Sequence, residues 1–153
     1  MPIQPTRSVA DDNSDDLDDA DPLPASVDLS KYRVVKRVPH HAAPSRTDVY
    51  VSRKSRPMAQ LAHIKALLLH PDARKRVPTV VVYGLGAAMS RAVELALRVA
   101  EAAPAAAPIA LVATTGTLPL HDDYEPLEEG LPAFTRTRHN SFVRVELSIA
   151  ASS

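Results

Sequence analysis

TVVVYGLGAAMSRAVELALR, residues 79–98, changes character twice along its length. Val80, Val81 and Val82 form an apolar run too uniform for a half-exposed strand, so the stretch from about Thr79 to Tyr83 predicts a strand buried on both faces. Gly84 and Gly86 follow, permitting turns and close approaches that a side chain would obstruct. Behind them Met89, Ala92, Val93, Ala96, Leu97 and Ala100 recur at the spacing of one helix face, predicting a helix over about Ala87–Glu101. Arg91 stands at the mouth of that helix. A strand feeding a helix through Gly-Leu-Gly, with a cation at the opening, suggests an anion site.

Upstream, Asp48–Ser52 alternates as a short strand, and Pro57 suits a first helical turn. Met58, Leu61, Ala62, Ile64, Leu68 and Leu69 then give an amphipathic helix that stops at His70-Pro71. Downstream, Pro104–Pro108 ends the second helix, and Ile109–Leu120 reads as a third strand. His121–Phe134 reads as an acidic loop, and Ser141–Ile149 as a fourth strand with Phe142, Val145 and Leu147 in the core. The resulting order is β-α-β-α-β-β. Right-handed crossovers place both helices on one side, which gives a two-layer α/β sandwich: a four-stranded mixed sheet with a projecting hairpin between the last two strands.

The remainder is organised by charge. Residues 1–30 hold eight acidic residues and a single basic one, Arg7. The chain contains 18 of each sign, so residues 31–153 keep 17 basic against 10 acidic, a net of about +7. Residues 1–30 therefore read as a disordered acidic tail, 31–46 as a basic, proline-punctuated extended lead-in, and 47–150 as the folded domain. A basic body seeks polyanions, and an acidic tail either screens it or keeps the chain soluble. With no cysteine there is no disulfide framework, thiol nucleophile or Cys-based zinc site. The acidic N-terminus does not look like a secretion signal, and no apolar run approaches the roughly 20 residues of a membrane span, so an intracellular, soluble protein with no membrane partner is expected.

Which chemistry could the glycine turn serve? A dinucleotide fingerprint requires a small third residue for close helix–strand packing, and Met89 stands there. The acidic residue expected about twenty positions on is also missing. Two readings stay open: a tight turn alone, or a helix N-terminus offering amides and Arg91 to a phosphate. Arg53-Lys54-Ser55-Arg56 runs against the helix dipole preference at the start of the first helix, a hint of function beside the plain alternative of a solvated turn. Arg136 and Arg138 alternate with Thr135 and Thr137, so in a strand both cations face one side, with His139 and Asn140 in reach of a base or 2′-hydroxyl. A charged edge strand that discourages aggregation would look the same. The six histidines show no metal-ligand spacing, the acidic loop has no fixed geometry for acid–base work, and Ser90 lacks a nucleophile elbow. No metal, cofactor or catalytic residue is expected.

VYVSRKSRP, VVVYGLGAAMSRAVELALRV and FTRTRHNSFVRVEL, with the KYRVVKRVP lead-in and the helix RPMAQLAHIKALL, together resemble the Alba superfamily of nucleic-acid-binding proteins. Within it, the pattern is similar to the branch of smaller Alba-like subunits of eukaryotic ribonuclease P and ribonuclease MRP, over about Asp28–Ile149. The resemblance implies a non-catalytic subunit in nucleus and nucleolus, serving precursor tRNA and ribosomal RNA processing. Its partners would be the P3 arm of the ribonuclease P/MRP RNA, a larger Alba-like subunit as heterodimer partner, and the other proteins of the particle. Carried over by position, RNA-facing candidates are Arg53, Lys54, Arg91, Arg136 and Arg138; Arg56, Gly84, Gly86, His139 and Asn140 complete the expected surface. Leu95 and Val99 widen the apolar face of the second helix and are the expected dimer interface. The alternative is a general Alba-type protein of chromatin or messenger RNA, acting as a homodimer. The Asp-rich tail departs from the family pattern.

Overall fold

The computed structural model describes residues 21–38 and 45–151. The expected tail over residues 1–20 and the proline-rich 39–44 fall outside the described residues. Five strands and two helices follow one another as β1 (Tyr32–Lys36), β2 (Asp48–Val51), α1 (Pro57–Leu68), β3 (Thr79–Leu85), α2 (Met89–Glu101), β4 (Ile109–Pro126) and β5 (Phe134–Ile149). They form one mixed sheet in the order β1-β4-β5-β3-β2, with β2 and β3 parallel and every other pair antiparallel. The fold class is mixed α and β, as expected. The strand count is corrected from four to five.

The core forms on one sheet face. Val49 and Val51 of β2, Val80 and Val82 of β3, and Val143, Val145 and Leu147 of β5 alternate inward against Ile64, Leu67 and Leu68 of α1 and Ala92, Leu95, Ala96 and Val99 of α2. Both helices thus cover the same side. Gly84 makes the contact close: a Cβ there would sit 2.6 Å from the Ala92 Cβ and 2.7 Å from the Ala88 carbonyl oxygen. Gly86 has φ +53°, a conformation L side chains rarely adopt, and passes the chain through a 3-10 turn (Gly86–Ala88) before α2 begins at Met89 rather than Ala87.

Three expectations are corrected by packing. Phe142 lies on the face opposite Val143, Val145 and Leu147, its ring across Gly116, where a Cβ would come within 2.7 Å. The apolar face of α2 is turned by one residue: Ala92, Leu95, Ala96 and Val99 are buried, whereas Val93 and Leu97 are 39% and 49% exposed. The expected acidic loop is mostly strand. β4 runs on to Pro126 and β5 begins at Phe134, pairing continuously from Ile109↔Ile149 to Tyr124↔Phe134.

The lead-in supplies the reason. β1 pairs with the acidic end of β4, Arg33 opposite Glu125 and Lys36 opposite Asp122. Arg37 grips Asp123 through two bonds, Nε to Oδ2 at 2.6 Å and Nη2 to Oδ1 at 2.7 Å. Arg33 pairs with Glu125, and Lys31 with Glu128 at 3.0 Å. Tyr32 packs edge-on to Tyr124 and Phe134, which stack at 4.6 Å between ring centroids. Opposite charge and three aromatic rings hold a strand whose own residues are nearly all exposed.

Candidate nucleic-acid interface

Because β2 and β3 are parallel, their C-terminal ends open on the same end of the sheet, and the helices that follow both begin there. Neither helix start is satisfied by a side chain: Arg56 caps α1 and Ala88 caps α2 without a side-chain hydrogen bond, and neither first turn holds an acidic residue. The positive ends of two dipoles thus lie side by side, although Pro57 brings no amide to the start of α1 and the Met89 amide at the start of α2 donates to the Gly86 carbonyl. Arg53, Lys54, Arg56 and Arg91 are all exposed around them. Arg91 Nη1 donates to the Arg53 carbonyl at 2.6 Å, tying the β2–α1 turn to α2.

Between these elements lies an open cleft of about 380 Å³, edged by Ser52, Ser55, Gln60, Arg91, Glu94 and Arg98 over a floor of Val51 and Leu95, with Arg98 bonded to Glu94 at 2.6 Å. Ser55 Oγ accepts from the Ser52 amide at 2.9 Å, and Ser52 Oγ accepts from the Lys54 amide at 3.2 Å, bending the turn that carries the cations. Gln60 Nε2 donates to the Tyr50 carbonyl at 3.0 Å, while its Oε1 is buried without a hydrogen-bond partner. Arg98 is paired with Glu94, so the cleft's net positive charge comes from Arg91, beside the two helix openings, where an anion is favoured.

The other basic cluster extends from the same end of the sheet. β3 pairs with β5 only as far as Leu85↔Phe142, and from Ser141 back to Phe134 the hairpin of β4 and β5 runs on beyond the sheet body. Asn140 meets the basic end directly, its side chain 2.9 Å from where a Gly86 Cβ would stand. Arg136 lies four residues further out, about 13 Å along the strand. Sequence spacing suggested one surface; the fold makes it a basic base with an arm.

The expected residues take different parts in this geometry. Arg53, Lys54, Arg56 and Arg91 gather at the helix openings, with Gly86 and Asn140 beside them. Gly84 is buried and serves helix–strand packing. Arg138 lies along the arm, where its Nε binds Asp122 Oδ2 at 2.9 Å, the pair being largely buried with side chains 18% and 9% exposed. Arg136 Nε donates to the Asp21 carbonyl at 2.8 Å. His139 is exposed on the arm. Leu95 and Val99, at 2% and 0% exposure, are covered by this chain's own core, so their faces are not open to a partner; Val93 and Leu97 are.

Three features escaped the sequence reading: β1, the Asp122–Arg138 pair, and the contact of Asp21 with the arm. The first had a signal, since KYRVVKR and HDDYEPLEE are complementary in charge when laid antiparallel. The Arg37 guanidinium, and then the Thr135 hydroxyl donating at 2.6 Å, hold the Asp123 carboxyl below its ordinary value. Among the described residues no group of three or more His, Asp or Glu is placed to hold a metal ion, and no helix is long and apolar enough to cross a membrane.

The family model for the Rpp20 subunit of nuclear RNase MRP and P matches residues 44–146. The chain is 31% identical over 126 residues to the ribonuclease P protein subunit p20 of Mus musculus, covering 82% of this chain and 89% of the relative. It is 32% identical over 125 residues to the same subunit of Bos taurus and 31% over 125 residues to that of Homo sapiens, each covering 80% of this chain and 87% of the relative.

Proposed function

The chain belongs to the Rpp20 family of subunits of nuclear RNase MRP and P, and from that premise we propose that it is a non-catalytic RNA-binding subunit that grips the P3 arm of the particle's RNA as half of a heterodimer. The observation that carries this reading is the convergence of Arg53, Lys54, Arg56 and Arg91 on two helix N-termini that no side chain caps. Exposed cations at the positive ends of two helix dipoles suit a phosphate backbone. The arm then extends the contact along the RNA, with Asn140 at its root and Arg136 and His139 further out. A nuclear and nucleolar location follows from membership of such a particle.

The heterodimer partner, a larger Alba-like subunit, would meet the face of α2 that carries Val93 and Leu97, which are exposed in the chain alone. RNA bound this way depends strongly on salt. Each phosphate contact removed lowers the slope of log affinity against log salt by about 0.7–0.9. The test is a gel-shift titration of the P3 arm with the heterodimer, comparing wild type with the R53A/K54A/R91A variant. Weaker binding and a shallower salt slope are expected. Unchanged affinity and slope would refute the surface. RNA recovered with the tagged chain from cells separates this function from general Alba-type binding: the ribonuclease P and MRP RNAs support it, and a broad RNA or DNA population overturns it.

A further inference from the structure

β1 closes one side of the sheet, and the bonds it makes fix which of its groups face outward. The Leu127 amide donates to the Lys31 carbonyl at 2.8 Å, and the Arg37 amide to the His121 carbonyl at 2.9 Å. Hydrogen-bonded and non-bonded pairs alternate along an antiparallel ladder, so Arg33 and Val35 also turn their backbone groups toward β4. Tyr32, Val34 and Lys36 turn theirs away. The Tyr32 amide is taken up by the Leu29 carbonyl. That leaves the Tyr32 carbonyl and both backbone groups of Val34 and Lys36 without a backbone partner among the described residues. Natural edges of this kind are blunted by charge, proline or a bulge. β1 holds no proline, its register with β4 is unbroken from Tyr32 to Lys36, and the charge of Arg33 is engaged by Glu125. Val34 and Val35 stand 45% and 39% exposed on its two faces.

We propose that this edge pairs antiparallel with the same edge of a second copy of the chain, about a two-fold axis through Val34. Self-complementarity selects a second copy over any other strand. The axis sets Val34 against Val34 of the other copy, and Lys36 against the other copy's Tyr32. The Val34 amide then meets the opposing Val34 carbonyl, and the Lys36 amide the opposing Tyr32 carbonyl. Donors and acceptors match in number, and the Tyr32 amide already in use is not needed. On the other face the Arg33 stem lies beside Val35. Past the strand ends Lys31 faces Arg37, but each is held by a carboxylate of its own chain, Glu128 or Asp123, so the juxtaposed cations do not oppose the contact. β1 borders the outer end of β4, Asp122–Pro126, so the exposed face of α2 stays open to a different partner. Five residues a side make a weak contact that fills as concentration rises. The pairing does not depend on the RNA-binding reading above.

Val34→Pro tests the edge without unmaking it, because the amide it removes faces away from β4 and an edge strand tolerates proline there. Sedimentation velocity of the full chain, from about 0.01 to about 1 mM, is expected to show wild type passing from monomer to dimer and Val34→Pro staying monomeric. Leu97→Ala, on the exposed face of α2, is expected to dimerise like wild type. Amide exchange followed by NMR on wild type reads the same edge directly. Exchange at Val34 and Lys36 is expected to slow with concentration, about twofold where half of the chains are paired, while Arg33 and Val35 stay unchanged. A wild type monomeric across the range would overturn the proposal. So would dimerisation that survives Val34→Pro or is lost with Leu97→Ala, or exchange at Val34 and Lys36 that ignores concentration.

Discussion

Leu95 and Leu97 are two residues apart on α2 and face opposite ways, so truncating each separates the core from the proposed partner face. Leu95 is 2% exposed and packs within the main cluster. Leu95→Ala removes three carbons, worth about 0.8 kcal/mol each in transfer alone. The cavity left between α2 and the sheet adds to this, giving about 3–4 kcal/mol of lost stability. For a chain of this length that corresponds to a fall in Tm of about 10 °C. Leu97 is 49% exposed, and Leu97→Ala in the isolated chain should lie within about 0.5 kcal/mol of wild type. With the partner subunit bound the order reverses for association: Leu97→Ala weakens the complex, and Leu95→Ala acts only through folding. The assay is thermal unfolding by circular dichroism at one fixed protein concentration, paired with titration of the partner. A neutral Leu95→Ala, or a Leu97→Ala that unfolds the lone chain as severely, would refute the assignment of faces.

Arg138→Ala should cost about 3–5 kcal/mol in a urea melt, because it leaves the Asp122 carboxylate, 6% exposed, without its partner. The paired D122L/R138M change should recover most of that loss, and a single mutant as stable as wild type would refute the pair's structural role. Acid should loosen the β1 end of the sheet. Asp123 has its folded-state pKa below the ordinary 3.8, chiefly through Arg37, so its contribution is present above the unfolded value and lost as pH falls through and below it. Thermal stability of wild type should therefore drop more steeply below pH 4 than that of Asp123→Asn, and superimposable pH profiles would show that Asp123 has no part in it.

The strand, glycine turn and helix at 79–98 were legible because each is specified locally, by an apolar run, by residues that tolerate a turn, and by helical spacing. The orientation of α2 was legible only to within one residue. Alanines line both candidate stripes, and the choice between Leu95 and Leu97 depends on where the sheet lies. β1 was not legible as a strand, since its burial pattern carries no alternation and its partner lies far along the chain. For the same reason Asp122, Asp123 and Glu125 read as a solvated loop: their partners Arg138, Arg37 and Arg33 come from elsewhere in the sequence. Of the candidate site, the cations of the β2–α1 turn and Arg91 were legible, and parallel strands explain why they converge. That Arg138 is committed to Asp122 depends on β4 continuing past Leu120, which residue type alone does not reveal.

The β1–β4 ladder also has a meaning in time. Arg33 and Glu125 are 92 residues apart, so nothing can hold β1 until the chain up to Pro126 exists and its hairpin has closed. Hairpin β4–β5 assembles from neighbouring residues; β1 is recruited to it afterwards, by charge and three rings rather than by a shared core. An element added last with so little buried is the first to peel away. One end of the molecule can therefore come undone and reseal while the sheet body and its two helix openings stay folded.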